Sequence, residues 1–301
     1  MLEGGPTHYP DDGKKNNKMS RVNAIIFFHK RGLPAAPPDR CSRLVSPEAW
    51  PQYLMYFCIR RQIEYINSDE RLSKLQGVPI ELALPQDLDA FLKDKDRLPD
   101  IERQVRDYQV PVYSVHAPDG HLADGKFIDW AGKAVQFAEA VGSGIAVFHP
   151  EAVGPDSGDL DHLSVVENIR HLQERTRVVI AVETLWNSKL VLTPDLIMKE
   201  SLPMVLDTSN LPKPEITWVI ESYHTHIVNL HLSAVTRDRE LKGVAKKFQP
   251  VERDNFCLDL LDRLQELEWN GVVTLEYMPW LHAKVLEDRD LLDRIYGMGR
   301  A

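Results

Sequence analysis

Six apolar runs of this chain end in a side chain fit for metal or proton chemistry. They are His116 in "YSVHAP", His149 in "AVFHP", Glu183 in "IAVETL", Asp207 in "VLDTSN", His231 in "NLHLS" and Glu276 in "TLEY". Taken singly, each has a plainer reading. Asp207 alone reads equally well as a helix cap, and a lone histidine at a strand end reads as a hydrogen-bonded core residue. Glu183 and Glu276 are harder to explain that way, because a carboxylate buried at the end of an apolar strand needs a partner. Together, Glu183, Asp207, His231 and Glu276 offer three carboxylates and one imidazole. This oxygen-rich set suits Mn²⁺, with Mg²⁺, Co²⁺ or Zn²⁺ as alternatives, better than a closed structural zinc site. Three carboxylates around one divalent ion leave a net charge of about −1, with positions open for substrate oxygens.

Such residues share a pocket only if the strands that carry them converge. Eight short β-rich runs alternate with segments of helical period: 22–29, 78–84, 110–117, 144–150, 177–183, 203–207, 226–232 and 271–277. Continuous apolar runs suit a parallel sheet covered on both faces. The intervening segments include "SPEAWPQYLMYFCIRRQIEYI" (46–66), "LPDIERQVRDYQ", "IDWAGKAVQFAEAVG", "DHLSVVENIRHLQER", "ERDNFCLDLLDRLQELEW" and "AKVLEDRDLLDRIYG", each read as a helix. Eight βα units predict an α/β fold, a single (β/α)₈ TIM barrel, in which the C-terminal strand ends meet on one face. An open doubly wound sheet would call for a glycine-rich first turn, and none is present.

The 301 residues carry a net charge of −9. That acidity argues against general affinity for nucleic acid or for an anionic membrane. Three cysteines (Cys41, Cys58, Cys257) without CxxC spacing suit a reducing compartment. No apolar run reaches bilayer-spanning length, so a cytoplasmic location is expected. Residues 1–20, rich in Gly, Pro, Asp, Asn and Lys, read as a disordered leader, with the barrel domain over 21–301.

The strand-end series resembles the xylose isomerase-like barrel superfamily, which holds sugar and sugar-phosphate isomerases and epimerases together with endonuclease IV. The likeness is carried by "HAP" at 116–118, "FHP" at 148–150, "VET" at 182–184, "LDTSN" at 206–210, "LHLS" at 230–233 and "TLE" at 274–276. In the ketose epimerase branch it implies that Glu183, Asp207, His231 and Glu276 hold one Mn²⁺-like ion, with Glu183 and Glu276 also the acid/base pair. It further implies that Arg237 grips substrate hydroxyls. Asn210 stands where that branch has a histidine, and Lys189 where it has a glutamate. The endonuclease IV branch builds three zinc ions and needs histidines where this chain has Asn210 and Glu240. DNA repair therefore ranks below sugar chemistry.

The resemblance implies a metal-dependent isomerase or epimerase working through an enediolate, with dehydration of a related polyol also open. The expected partner is a small sugar or sugar phosphate, and homo-oligomerisation is left open. His116 and His149 are expected to line the pocket, and Trp186 and Trp280 to wall it against a sugar ring. His29 and Glu81 are weaker candidates. Segment 236–253 carries six basic residues against three acidic. It reads either as a solvated loop or as a place where Arg237 with Lys242, Lys246 or Lys247 attracts a substrate anion. A barrel that has lost catalysis and only binds carbohydrate is the alternative of another class.

Overall fold

A computed structural model describes residues 55–297 except 64–68, 86, 88–90, 92, 94–96, 119, 121, 124, 150–161, 186–191 and 237–245. The expected leader and the run at 22–29 lie outside the described residues.

Eight parallel strands close in chain order. They are β1 (Tyr56–Gln62), β2 (Ile80–Ala83), β3 (Val112–His116), β4 (Ile145–Phe148), β5 (Val179–Glu183), β6 (Met204–Asp207), β7 (Ile227–Leu232) and β8 (Val272–Leu275). β1 pairs with β8, in the register Tyr56↔Val272 to Ile59↔Leu275, which shuts the ring. The fold is the (β/α)₈ barrel.

Strands β2 to β8 fall inside the expected runs, but the first does not. The place assigned to 22–29 is filled by Tyr56–Gln62, within the stretch 46–66 expected as a helix. The cause is local. "YFCIRRQ" carries two adjacent arginines, which spoil the apolar run of a barrel strand. Arg60 and Arg61 are tolerated because Arg60 ion-pairs inside the barrel, while Arg61 is mostly buried and donates to the Arg60 carbonyl oxygen.

The pleat sends alternate side chains to opposite faces. Phe57, Ile59, Leu82, Phe148, Leu206 and Leu275 join the core beneath the surrounding helices. Among those helices, Asn255–Glu266 buries Cys257, Leu260, Leu261 and Leu264 and starts at Asp254, whose carboxylate accepts from Phe256 N. Gly125–Ala140 ends before Gly142, which takes φ +76° where a side chain would be strained. Cys58 and Cys257 are buried free thiols. No described helix is long and apolar enough to cross a membrane.

The barrel interior is divided. Ile145, Val147, Ala181 and Val205 form a small apolar cluster of their own. The opposite side of the lumen, facing β1, β2, β3, β7 and β8, is polar, with Glu81, Ser114, Asn229, His231 and Thr274 joined by hydrogen bonds.

Candidate active site

The C-terminal strand ends bring Glu183, Asp207, His231 and Glu276 together at one end of the barrel. Glu183 closes β5, Asp207 closes β6, His231 sits in β7 and Glu276 follows β8 directly. Asp207 and His231 are register partners on adjacent strands. Glu183, Asp207 and His231 are each about fully buried, at 1%, 1% and 0% exposure.

Glu183 is the hub. Its Oε2 lies 2.8 Å from His116 Nε2, 3.2 Å from His149 Nε2 and 3.6 Å from His231 Nδ1. Burial opposes its ionisation, but the rings of His231 and His149 and the hydrogen bond to His116 outweigh that and hold its carboxyl well below the usual range. Asp207 goes the other way. Burial, then the negative charges of Glu183 and Glu276, hold its carboxyl well above the usual range. Asp207 caps no helix. It organises its own turn, accepting from Ser209 N at 2.6 Å, Ser209 Oγ at 3.2 Å and the Asn210 amide. The helix Lys213–Tyr223 instead starts after Pro212.

Within this cluster, two buried atoms that face each other have no hydrogen-bond partner: His231 Nδ1 and Glu276 Oε2. They lie 3.4 Å apart without the alignment a hydrogen bond needs. Two polar atoms left open at the centre of a carboxylate cluster are what a cation site requires. The His116 ring is held between two acceptors, with Nδ1 2.7 Å from the Ala117 carbonyl oxygen and Nε2 2.8 Å from Glu183 Oε2. Burial, then the Arg60 guanidinium, lowers its pKa.

The donor atoms of His116, His149 and Glu183 lie within 4.8 Å of one another, as do those of Glu81, His116 and His231. The first set is nitrogen-rich, with both rings against Glu183 Oε2. In the second, Glu81 Oε2 also accepts from Ser114 and Asn229 beside His231.

Arg60 is the residue sequence reasoning missed. From β1 it ion-pairs with Glu276 Oε1, and its Nε lies 3.9 Å from Glu81 Oε1. Burial opposes the ionisation of Glu276, and the guanidinium overcomes it, holding that carboxyl below its ordinary value. Glu81, ranked low from sequence, is fully buried at the centre of the polar lumen. Asn210 Oδ1 accepts from Lys247 Nζ at 2.9 Å, which brings one lysine of the basic segment to the pocket wall. Trp280 keeps 65% of its surface exposed and is not core packing. Arg237, Trp186, Lys189, Lys242 and His29 lie outside the described residues.

These shifts set a pH dependence. Burial opposes charge on the His231 ring, yet Glu81 and Glu183 raise its pKa well above the ordinary value. A raised histidine contributes stability that is complete below its unfolded pKa and lost as pH climbs through the folded one. Asp207, also raised, costs stability as it ionises over its own rising range. Both signs agree. The metal-free protein is expected to lose thermal stability as pH rises from the ordinary histidine range through the raised pKa of His231, and divalent metal is expected to flatten the loss by displacing those protons. Thermal melts across pH with chelator and with added Mn²⁺ check this. A metal-free melting temperature that rises over the same interval contradicts it.

Residues 75–295 match the family model of the xylose isomerase-like TIM barrel. Among solved structures, 3-keto-D-glucoside 4-epimerase from E. coli superposes with TM-score 0.58 at 14% identity, covering 79% of this chain and 99% of its own. A xylose isomerase-like TIM barrel protein from Mycobacterium smegmatis in complex with magnesium gives 0.57 at 13%, covering 83% and 98%. Endonuclease IV from Thermus thermophilus gives 0.51 at 13%, covering 78% and 98%. At these identities the likeness is one of fold. A comparison with curated protein sequences gives no significant match.

Proposed function

Because the chain belongs to the xylose isomerase-like TIM barrel family, we propose that it is a divalent-metal-dependent isomerase or epimerase of a sugar or sugar phosphate. The open pair His231 Nδ1 and Glu276 Oε2, beside Glu183 and Asp207, is the observation that carries this. These four residues would offer one ion three carboxylates and an imidazole, a donor set that suits Mn²⁺, with Mg²⁺, Co²⁺ or Zn²⁺ the alternatives. When bound, such an ion supplies Lewis-acid polarisation of a substrate carbonyl and its neighbouring hydroxyl.

The chain's own residues do the proton work. Glu183 and Glu276 project from strands three apart around the ring, and both are held ionised. One takes the proton α to the carbonyl and, now protonated, gives it back, or the other returns a proton that it has first taken from solvent. Return to the opposite face of that carbon epimerises it, and return to the neighbouring carbon isomerises. A β-hydroxyl placed to leave gives dehydration. His116 and His149 orient Glu183, and Arg60 orients Glu276. Asn210 and Lys247 offer an amide and a cation to substrate oxygens, with Arg237, Lys189 and Trp186 proposed to join them. That a structurally similar protein is a keto-glycoside 4-epimerase supports epimerisation among the three outcomes.

The test is solvent exchange. Protein loaded with one equivalent of Mn²⁺ is incubated in D₂O with a panel of ketoses, ketose phosphates and keto-glycosides. Deuterium is then read by mass spectrometry, and the product by NMR after metal removal. Metal-dependent exchange of a single C–H beside the carbonyl is expected. Loaded protein that exchanges none of them sinks the isomerase and leaves a carbohydrate-binding barrel.

A second reading has its own observation. The nitrogen-rich group His116, His149 and Glu183 suits zinc, as an endonuclease IV-like enzyme would require. Two or three zinc ions per chain, with incision of abasic DNA, would favour it. Asn210 stands against it, since an amide is a poor zinc ligand.

A further inference from the structure

The polar half of the lumen is one hydrogen-bonded chain, and its proton order can be read from the chemistry. Thr274 Oγ1 gives its single proton to Asn229 Oδ1 at 2.9 Å, so the Cys58 thiol, 2.9 Å away, is the donor to Thr274. With Asn229 Oδ1 accepting, its amide nitrogen faces Glu81 Oε2 at 3.1 Å as a donor. Ser114 Oγ donates to the same oxygen at 2.7 Å, and His231 Nε2 lies 3.1 Å from it. A carboxylate oxygen can only accept, so the His231 nitrogen turned toward it carries a proton. The other ring nitrogen, Nδ1, is the one left without a partner, 3.4 Å from Glu276 Oε2 and 3.6 Å from Glu183 Oε2.

We propose that Glu81 is the positioning residue of the site: it holds the proton on His231 Nε2, so that Nδ1 is the nitrogen presented to the ion. This rests on the metal reading above. Glu81 touches neither substrate nor ion and acts through the ring. Ser114 and Asn229 keep its carboxylate from turning, and Thr274 and Cys58 keep Asn229 from flipping. The whole chain is buried, with Cys58, Glu81, Ser114, Asn229, His231 and Thr274 all at 0% exposure. A carboxylate behind a ligating histidine fixes its tautomer and raises its basicity, and losing one typically lowers metal affinity about 10- to 100-fold.

Two measurements test it. The first is Zn²⁺ affinity, by competition with a chromophoric chelator, for the wild type and for Glu81→Gln shown folded by circular dichroism. A fall of about 10-fold or more is expected, and affinity within about twofold of the wild type overturns the proposal. The second uses the wild type alone, loaded with diamagnetic Zn²⁺ and labelled with ¹⁵N-histidine. The His231 signals should show a proton on Nε2 and none on Nδ1, and the reverse pattern overturns the proposal. If Glu81→Gln does not fold, the nitrogen spectrum decides by itself. A wild type that takes up no metal sinks the proposed function and this role together, whereas metal-loaded wild type with the wrong tautomer sinks this role alone.

Discussion

Glu183→Gln is expected to lose both its metal and its chemistry. Oε2 of this residue is where three histidine rings converge, at 2.8, 3.2 and 3.6 Å. A carboxamide offers a neutral oxygen to an ion that gains most from charge. It cannot take a proton from carbon. Loss of a ligand that is also an acid/base group should lower turnover at least about 10³-fold, the middle of the range for a proton-transfer residue alone. The check pairs metal per chain by mass spectrometry with D₂O exchange, and wild-type values for both would remove Glu183 from the site. Stability should fall as well. The His231, His149 and His116 rings hold the Glu183 carboxyl well below its ordinary value, so its charge stabilises the fold at neutral pH. Easier ionisation of Asp207, on which Glu183 presses after burial itself, offsets part of that loss.

Arg60→Leu is expected to lower stability, and most when metal is absent. Its guanidinium pairs with Glu276 Oε1 and approaches Glu81 Oε1, among carboxylates that are almost wholly out of water. Removing one partner of a buried pair strands the other charge, typically at 3–5 kcal/mol. Arg60 keeps 19% side-chain exposure and Glu276 12%, so water screens part of that, and about 2–3 kcal/mol is the expected loss. A divalent ion brings its own positive charge to Glu276 and should recover part of it. Urea unfolding with chelator and with saturating metal measures both. An equal loss in the two conditions would make Arg60 a purely structural residue. Arg60→Lys should rescue poorly, because a point charge on a flexible stem does not reproduce the planar fork that reaches both Glu276 and Glu81.

What the sequence made legible follows from where charge meets apolar pattern. Glu183, Asp207 and Glu276 each stop an apolar run, so they announced both a strand and its end. β1 was hidden for the opposite reason. In "YFCIRRQ" the arginines sit inside the strand, and Arg60 is made tolerable there by acidic residues at β2 and just beyond β8. No window along one segment contains that information. Glu81 was undervalued because it lies within "IELA" and does not end it. A usable signal was nonetheless present. Ser114 precedes His116 by two, Asn229 precedes His231 by two, and Thr274 precedes Glu276 by two. Polar residues spaced by two share one face of a strand, so each pair predicted an inward polar layer beneath the strand-end residues. Depth in the lumen was readable, and partner identity was not.

The closure of β1 on β8 also bears on how the chain is made. Arg60 and Glu276, like Cys58 and Thr274, meet across 216 positions of sequence. Contacts so distant form late, after the entropy of a very long loop has been given up. During synthesis from the N-terminus, Arg60 therefore emerges long before the carboxylate it needs, and an incomplete barrel exposes an arginine edge at one end and unneutralised acids at the other. The same ionic seam that shapes the pocket is thus the join at which the ring is completed. A nascent chain halted before residue 276 has neither a finished barrel nor a finished site.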